Sequence, residues 1–176
     1  NAYITLLDVE KPDFGLVSIP LKPGDSVMTV TPGPMKFLSS DGALTAFFLA
    51  QGTSDLHAIN VDVASLGPKG KGTSLQIFPT AAGASEFVLY RGADGEDRVL
   101  VLCTSARMAG VVHPASSEVK LYSLNFSPRN VMLFTMVSTE TGVEEQFAFI
   151  YDDTGASQAY YFVELDRIQE KKSKAF

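Results

Sequence analysis

The chain has 176 residues, of which 45% are hydrophobic, so it is large and apolar enough to bury the core of one domain. Its formal net charge of -6 predicts an acidic surface that repels nucleic-acid phosphates, and no apolar run reaches the ~20 residues that a membrane-spanning helix needs. We therefore expect no nucleic-acid partner and no membrane insertion. Cys103 is the single cysteine, which excludes an internal disulfide framework and a cysteine-based metal cluster.

Short runs of β-branched and aromatic residues follow one another along the chain, separated by Gly, Pro, Asn, Asp and Ser, with hardly any helical periodicity. In chain order, the predicted strands are 2–9, 15–21, 26–31, 35–39, 43–50, 55–63, 73–80, 86–91, 98–104, 118–126, 130–138, 144–151 and 158–165. This spacing, without helices between the strands, predicts an all-β fold. We expect an antiparallel β-sandwich or barrel-like single domain over residues 1–166, followed by a basic tail or short helix over 167–176.

The apolar runs also predict the core. Residues in strands with apolar neighbours are expected to be buried: Phe47, Leu49, Ile59, Val61, Val88, Val99, Val101, Leu121, Leu133, Phe147, Phe149 and Phe162. His57 shares strand parity with Ile59, which predicts a buried core histidine rather than a metal ligand. Cys103 ends an apolar run and is expected to be a small buried residue.

A weak internal repeat runs through the last three quarters of the chain. The order strand, tight turn, strand, gap, strand occurs over 35–62, again over 86–126 and again over 130–165. The first unit, in which Leu38-Ser39-Ser40-Asp41-Gly42 leads into a hydrophobic strand, resembles the blade repeat of β-propeller proteins. This resemblance implies an alternative fold, a partial β-propeller of about three blade-like units. Such an open stack would leave apolar end faces that require a partner, whereas the closed sandwich predicts a monomer and is favoured by the hydrophobic content.

Two motifs resemble catalytic or phosphate-binding sequences, but a turn and a surface connection explain them better. Asp153-Thr154-Gly155 looks like the loop of aspartic proteases, yet the chain has no second copy of it, and between two strands Asp-Thr-Gly is typical of a hairpin turn. The glycine-rich segment 67–73 lacks the Lys-Ser/Thr pair of a phosphate-binding loop, and we interpret it as a surface connection.

We therefore expect no catalytic residues, no metal and no cofactor. The preferred hypothesis is a non-catalytic binding or scaffold domain that contacts a protein or ligand through loops on a β scaffold, with a protein partner expected. The alternative is a propeller-type hydrolase or lactonase with a metal or carboxylate site. Convergence of the candidate binding residues would favour the enzyme, and these residues are Asp55, Asp62, Asp94, His113 and Asp152.

Overall fold

The computed structural model describes residues 3–8, 15–20, 32–40, 43–50, 52–62, 74–155, 159–165 and 168. These residues contain strands throughout and no α-helix, which confirms the all-β class. The strands are β1 (Tyr3–Asp8), β2 (Gly15–Pro20), β3 (Pro32–Ser40), β4 (Ala43–Ala50), β5 (Asp55–Asp62), β6 (Ser74–Pro79), β7 (Ala84–Arg91), β8 (Asp97–Cys103), β9 (Met108–His113), β10 (Glu118–Ser123), β11 (Asn130–Val137), β12 (Glu144–Tyr151) and β13 (Tyr160–Glu164). No helix in the described part of the chain has the length and apolar character needed to cross a membrane.

The strands form antiparallel sheets in which neighbours in sequence are neighbours in space. Strands β1 and β2 form a hairpin, and the larger sheets have the orders β3-β4-β5-β6, β7-β8-β9-β10 and β11-β12-β13. Each larger sheet is thus an open meander of consecutive strands, and among the described residues none closes into a barrel. Short connections explain this topology, because adjacent antiparallel strands need only a tight turn between them.

The chain divides into two compact units, residues 1–51 with 56–77, and residues 52–55 with 78–176. In the first unit the core lies on β4 and β5. Every residue from Ala46 to Ala50 is at most 2% exposed, so both faces of this strand are covered. His57 is 1% exposed, and its ring stacks on Phe48 with centroids 5.1 Å apart, which confirms the predicted core histidine. The prediction of a single domain over residues 1–166 stays a prediction.

In the second unit, the sheets β7–β10 and β11–β13 pack face to face over one hydrophobic core. Every second residue of the strands contributes to this core, because alternate side chains point to the same face, and residues from adjoining segments complete it. The buried members are Tyr90, Leu100, Leu102, Ala109, Val111, Leu124, Phe126, Ala148, Ile150, Tyr161, Val163, Leu165 and Ile168. Strand β8 is covered on its other face as well, since Val99, Val101 and Cys103 are also fully buried. Burial raises the pKa of the Cys103 thiol, as expected for a structural cysteine.

Most of the predicted strands are confirmed. Strand β9 was not predicted, and the predicted strand 26–31 lies outside the described residues. Among the predicted core residues, Phe47, Leu49, Ile59, Val99 and Val101 are buried, and Val88, Leu133, Phe147 and Phe149 are half-buried, while the side chain of Val61 is not described. The prediction was wrong for Leu121 and Phe162, which are 41% and 42% exposed. Leu121 lies on the edge strand β10, and Phe162 lies on the outer face of the sheet β11–β13.

Candidate functional site

The outer face of the sheet β11–β13 is covered with aromatic and methionine side chains. The register places Phe134 opposite Phe147, and Phe149 opposite Phe162. Because successive side chains of a strand point to opposite faces, every second residue joins them on the same side. We call this surface the aromatic face, and its members are Met132, Phe134, Met136, Phe147, Phe149, Tyr151, Tyr160 and Phe162.

The rings of the aromatic face form two groups of three, one of which extends across all three strands. Phe162 stacks on Phe147 with centroids 5.2 Å apart and on Phe134 at 5.4 Å. Phe149 contacts Tyr160 at 5.2 Å and Tyr151 at 5.4 Å. These spacings lie in the range at which aromatic pairs attract one another. The face is therefore an ordered, preformed surface rather than a set of separate exposed residues.

Four side chains of the aromatic face are widely exposed, whereas the other face of the same sheet is buried at Ala148, Ile150, Tyr161 and Val163 and exposed at Val137, at its hairpin end. Met132 is 56% exposed, Met136 48%, Tyr160 41% and Phe162 42%, whereas Ile150, on the covered face, is 0% exposed. If a side chain of this size presents roughly 200 Å² when fully exposed, these four alone leave about 350 Å² of apolar surface uncovered. This area is comparable to the largest apolar patch on a typical monomeric protein, and such patches are often functional.

The charged residues at the hairpin end of this face are acidic, whereas Arg129, at the opposite end, pairs with Asp152 at 3.5 Å. Between Asn130 and Asp166 the chain contains no lysine and no arginine. Glu145 lies on the same side of the sheet as the aromatic face, directly opposite Met136, and Glu140 and Glu144 are exposed in or beside the hairpin that joins β11 to β12. One end of the aromatic face is therefore bordered by negative charge without a cation on the sheet itself.

A second feature of the same unit is a cavity of about 340 Å³ lined by β7–β10 together with Leu165 and Ile168. Its polar lining residues are Tyr90, Asp94, Arg98, His113, Lys120 and Tyr122. Arg98 forms an ion pair with Asp94, and the Lys120 Nζ lies 3.3 Å from the Glu118 Oε1. Each cation of the cavity thus has a carboxylate beside it, so the charges largely offset one another.

Two of the sequence-predicted binding residues meet in this cavity. Asp94 lies in the turn between β7 and β8, and His113 ends β9. A hydrogen bond from the backbone N–H of Glu96 and the charge of Arg98 lower the pKa of Asp94. Burial, together with the charges of Arg98 and Lys120, lowers the pKa of His113 and favours its neutral form.

The other three predicted residues lie elsewhere. Asp55 and Asp62 stand at the two ends of β5, and the side chain of Asp62 is not described. Asp152 follows β12 and accepts hydrogen bonds from the backbone N–H and the hydroxyl of Thr154, at 3.0 and 2.7 Å. These bonds lower the pKa of Asp152, and Gly155 follows with a φ of 72°, so the segment has the predicted turn geometry.

Metal binding was the observation that would favour the hydrolase hypothesis. In the part of the chain that the structure describes, no three His, Cys, Asp or Glu residues are grouped so that they could hold a metal ion.

The aromatic face was not identified from the sequence, although its signal was present. Phe147, Phe149 and Tyr151 alternate along one strand, and Tyr160 and Phe162 alternate along the next. Alternation of this kind indicates one face of a sheet, but aromatic side chains there were interpreted as core.

Comparisons of the chain with protein-family models, with curated proteins and with solved structures give no match in any of the three. Its function is therefore argued from its own residues.

Proposed function

We propose that the chain is a non-catalytic protein-binding domain whose binding surface is the aromatic face of the sheet β11–β13. One observation carries this proposal: a stacked aromatic and methionine surface stays exposed on a sheet whose other face is buried in the core at Ala148, Ile150, Tyr161 and Val163. Leaving such a surface in water costs free energy that a partner would recover by covering it. The sequence hypothesis placed binding on loops, and the proposal moves it to a sheet face.

The shape and composition of the face favour a protein over a small molecule. Small ligands bind in concave pockets that enclose most of their surface, whereas a sheet face is broad and shallow. Aromatic residues and methionine are enriched in protein–protein interfaces, and methionine adapts to partners of different shape. The acidic border disfavours nucleic acid, whose phosphates it would repel.

The topology supports the blade-like alternative as the architecture of this scaffold. Each larger sheet is a meander of three or four consecutive strands, as in the blades of a β-propeller. In an arrangement of stacked blade-like sheets, the aromatic face is where a further sheet would pack. A partner that supplies such a sheet would complete the stack.

Binding by the aromatic face can be tested with two matched variants. The face variant, Met132→Thr with Phe162→Thr, removes two exposed apolar side chains from the face. The control variant, Ile77→Thr with Leu121→Thr, removes two side chains of similar exposure, 45% and 41%, from other sheets. We expect affinity purification with the native chain and the control to retain a polypeptide that the face variant loses, and the purified components to form the same complex by light scattering.

Capture of the same polypeptides by the native chain and the face variant would contradict the proposal. Far-UV circular dichroism and a cooperative melt of both variants show whether the comparison is between folded proteins.

A further inference from the structure

The partner of the aromatic face can be described from its chemistry. We infer that it presents an apolar β-sheet face bordered by lysine or arginine, which packs on the aromatic face and places its cations against Glu145 and the hairpin residue Glu140. This inference rests on the proposed function and adds the chemical character of the partner's surface.

The geometry favours a sheet as the occupant. Side chains of the aromatic face stand in rows about 4.8 Å apart across the strands, and two such surfaces pack with their sheets about 10 Å apart. The other face of the same sheet shows this mode of packing, because Ile150 and Val163 lie in a core shared with Leu100 and Val111 of the neighbouring sheet. A second sheet against the aromatic face would repeat that arrangement on the opposite side.

The size of the face indicates that apolar contact alone is not sufficient. The about 350 Å² left open by its four most exposed side chains is less than half of the about 800 Å² that each partner contributes to a stable interface. The contact must therefore extend to the rim of the sheet. At the hairpin end, that rim carries Glu140 and Glu145.

The charge of the rim argues against a second copy of this chain. Two copies joined through their aromatic faces would each bring a net charge of -6 and a rim with carboxylates. Like charges brought together across an interface oppose association, whereas lysine or arginine opposite these carboxylates would attract the partner and orient it. A sheet with a basic border would both cover the apolar surface and pair its cations with the carboxylates of the rim.

Two cyclised β-hairpin peptides serve as probes. Both carry phenylalanine and valine on one face, and the rim positions carry lysine in the first peptide and glutamate in the second. Fluorescence anisotropy in 50 mM NaCl measures their affinity for the native chain. We expect the lysine peptide to bind at least tenfold more tightly than the glutamate peptide, and this preference to fall below about threefold in 500 mM NaCl, where charges are screened within about 5 Å.

Paired variants locate the charges responsible. Glu140→Gln with Glu145→Gln should reduce the preference for the lysine peptide to less than threefold. Glu96→Gln with Glu118→Gln removes two acidic side chains from the sheet β7–β10 and should leave the preference unchanged. The face variant should lose binding of both peptides.

Each contrary result bears on a different statement. Equal binding of both peptides, lost in the face variant, would overturn the basic partner and keep the face as a binding surface. No binding of either peptide, or binding unchanged in the face variant, would count against the proposed function itself. A dimer of the native chain in light scattering that the face variant loses would show that the occupant is a second copy.

Discussion

The two faces of the sheet β11–β13 predict opposite responses to truncation, and Ile150 and Phe162 test the contrast. Ile150→Ala removes three carbons from a side chain that is 0% exposed and lies in the core between two sheets. At ~0.8 kcal/mol for each buried carbon, the transfer contribution is about 2.4 kcal/mol, and the cavity left behind raises the total to about 3–4 kcal/mol.

Phe162→Ala removes a larger side chain but should cost less. Phe162 is 42% exposed, and its losses are the contacts with Phe134 and Phe147 and the covered part of its ring. We expect a loss of about 1–2 kcal/mol, since a surface aromatic pair contributes roughly 0.5–1.5 kcal/mol. The smaller residue should therefore be the more damaging one to truncate.

Urea denaturation measures both effects. The chain has no tryptophan and six tyrosines, so far-UV circular dichroism and tyrosine fluorescence report unfolding. At about 2–4 °C of melting temperature for each kcal/mol in a chain of this size, Ile150→Ala should also melt about 10 °C below the native chain. A loss below 1 kcal/mol for Ile150→Ala, or an equal loss for Phe162→Ala, would refute the assignment of the covered and open faces.

Three further predictions concern the second unit. Gly83→Ala should lose about 2–4 kcal/mol of stability in urea, because Gly83 has a φ of 76° and an added Cβ would lie 2.7 Å from the backbone N of Ser105. Gly95 has a φ of 81° but open space around it, so Gly95→Ala should lose only about 1 kcal/mol. Cys103, fully buried with a raised thiol pKa, should react with Ellman's reagent at pH 8 only after urea is added, and rapid labelling of the native chain would contradict its burial. The pKa of His113 is lowered below 6.5 in the folded state, so the unfolded state takes up a proton at a higher pH and stability should fall as the pH drops below about 7. The urea midpoint should therefore decrease less between pH 8 and pH 5.5 for His113→Gln than for the native chain.

Most strands are predictable because β-branched and aromatic residues within a few positions of one another indicate them. The one missed strand lacks such residues over its first half. Strand β9 begins with Met108-Ala109-Gly110, which lacks the β-branched and aromatic residues that indicate a strand. Glycine avoids a close contact at this position, because a Cβ at Gly110 would lie 3.1 Å from the Leu121 Cδ2 on the neighbouring strand and that side chain would have to shift. Leu121 comes later in the chain, so local strand propensity does not predict this contact.

The aromatic face and the cavity depend on long-range packing that alternation does not encode. Along β12, Phe147 and Phe149 alternate with Ala148 and Ile150, so both faces of the strand are apolar in sequence. The larger side chains were expected inside, but the neighbouring sheet covers the smaller ones. The position of His113 beside Asp94 likewise depends on the register of three strands, which sequence spacing does not give.

The absence of cations from the last sheet also determines how the chain responds to proteolysis. Trypsin cleaves after lysine and arginine, and the sequence offers it no such position between Arg129 and Arg167. Complete digestion therefore releases β11, β12 and β13 together in one peptide that starts at Asn130. That peptide carries every residue of the aromatic face, so a single mass-spectrometric species reports any crosslink or oxidation of its methionines and tyrosines.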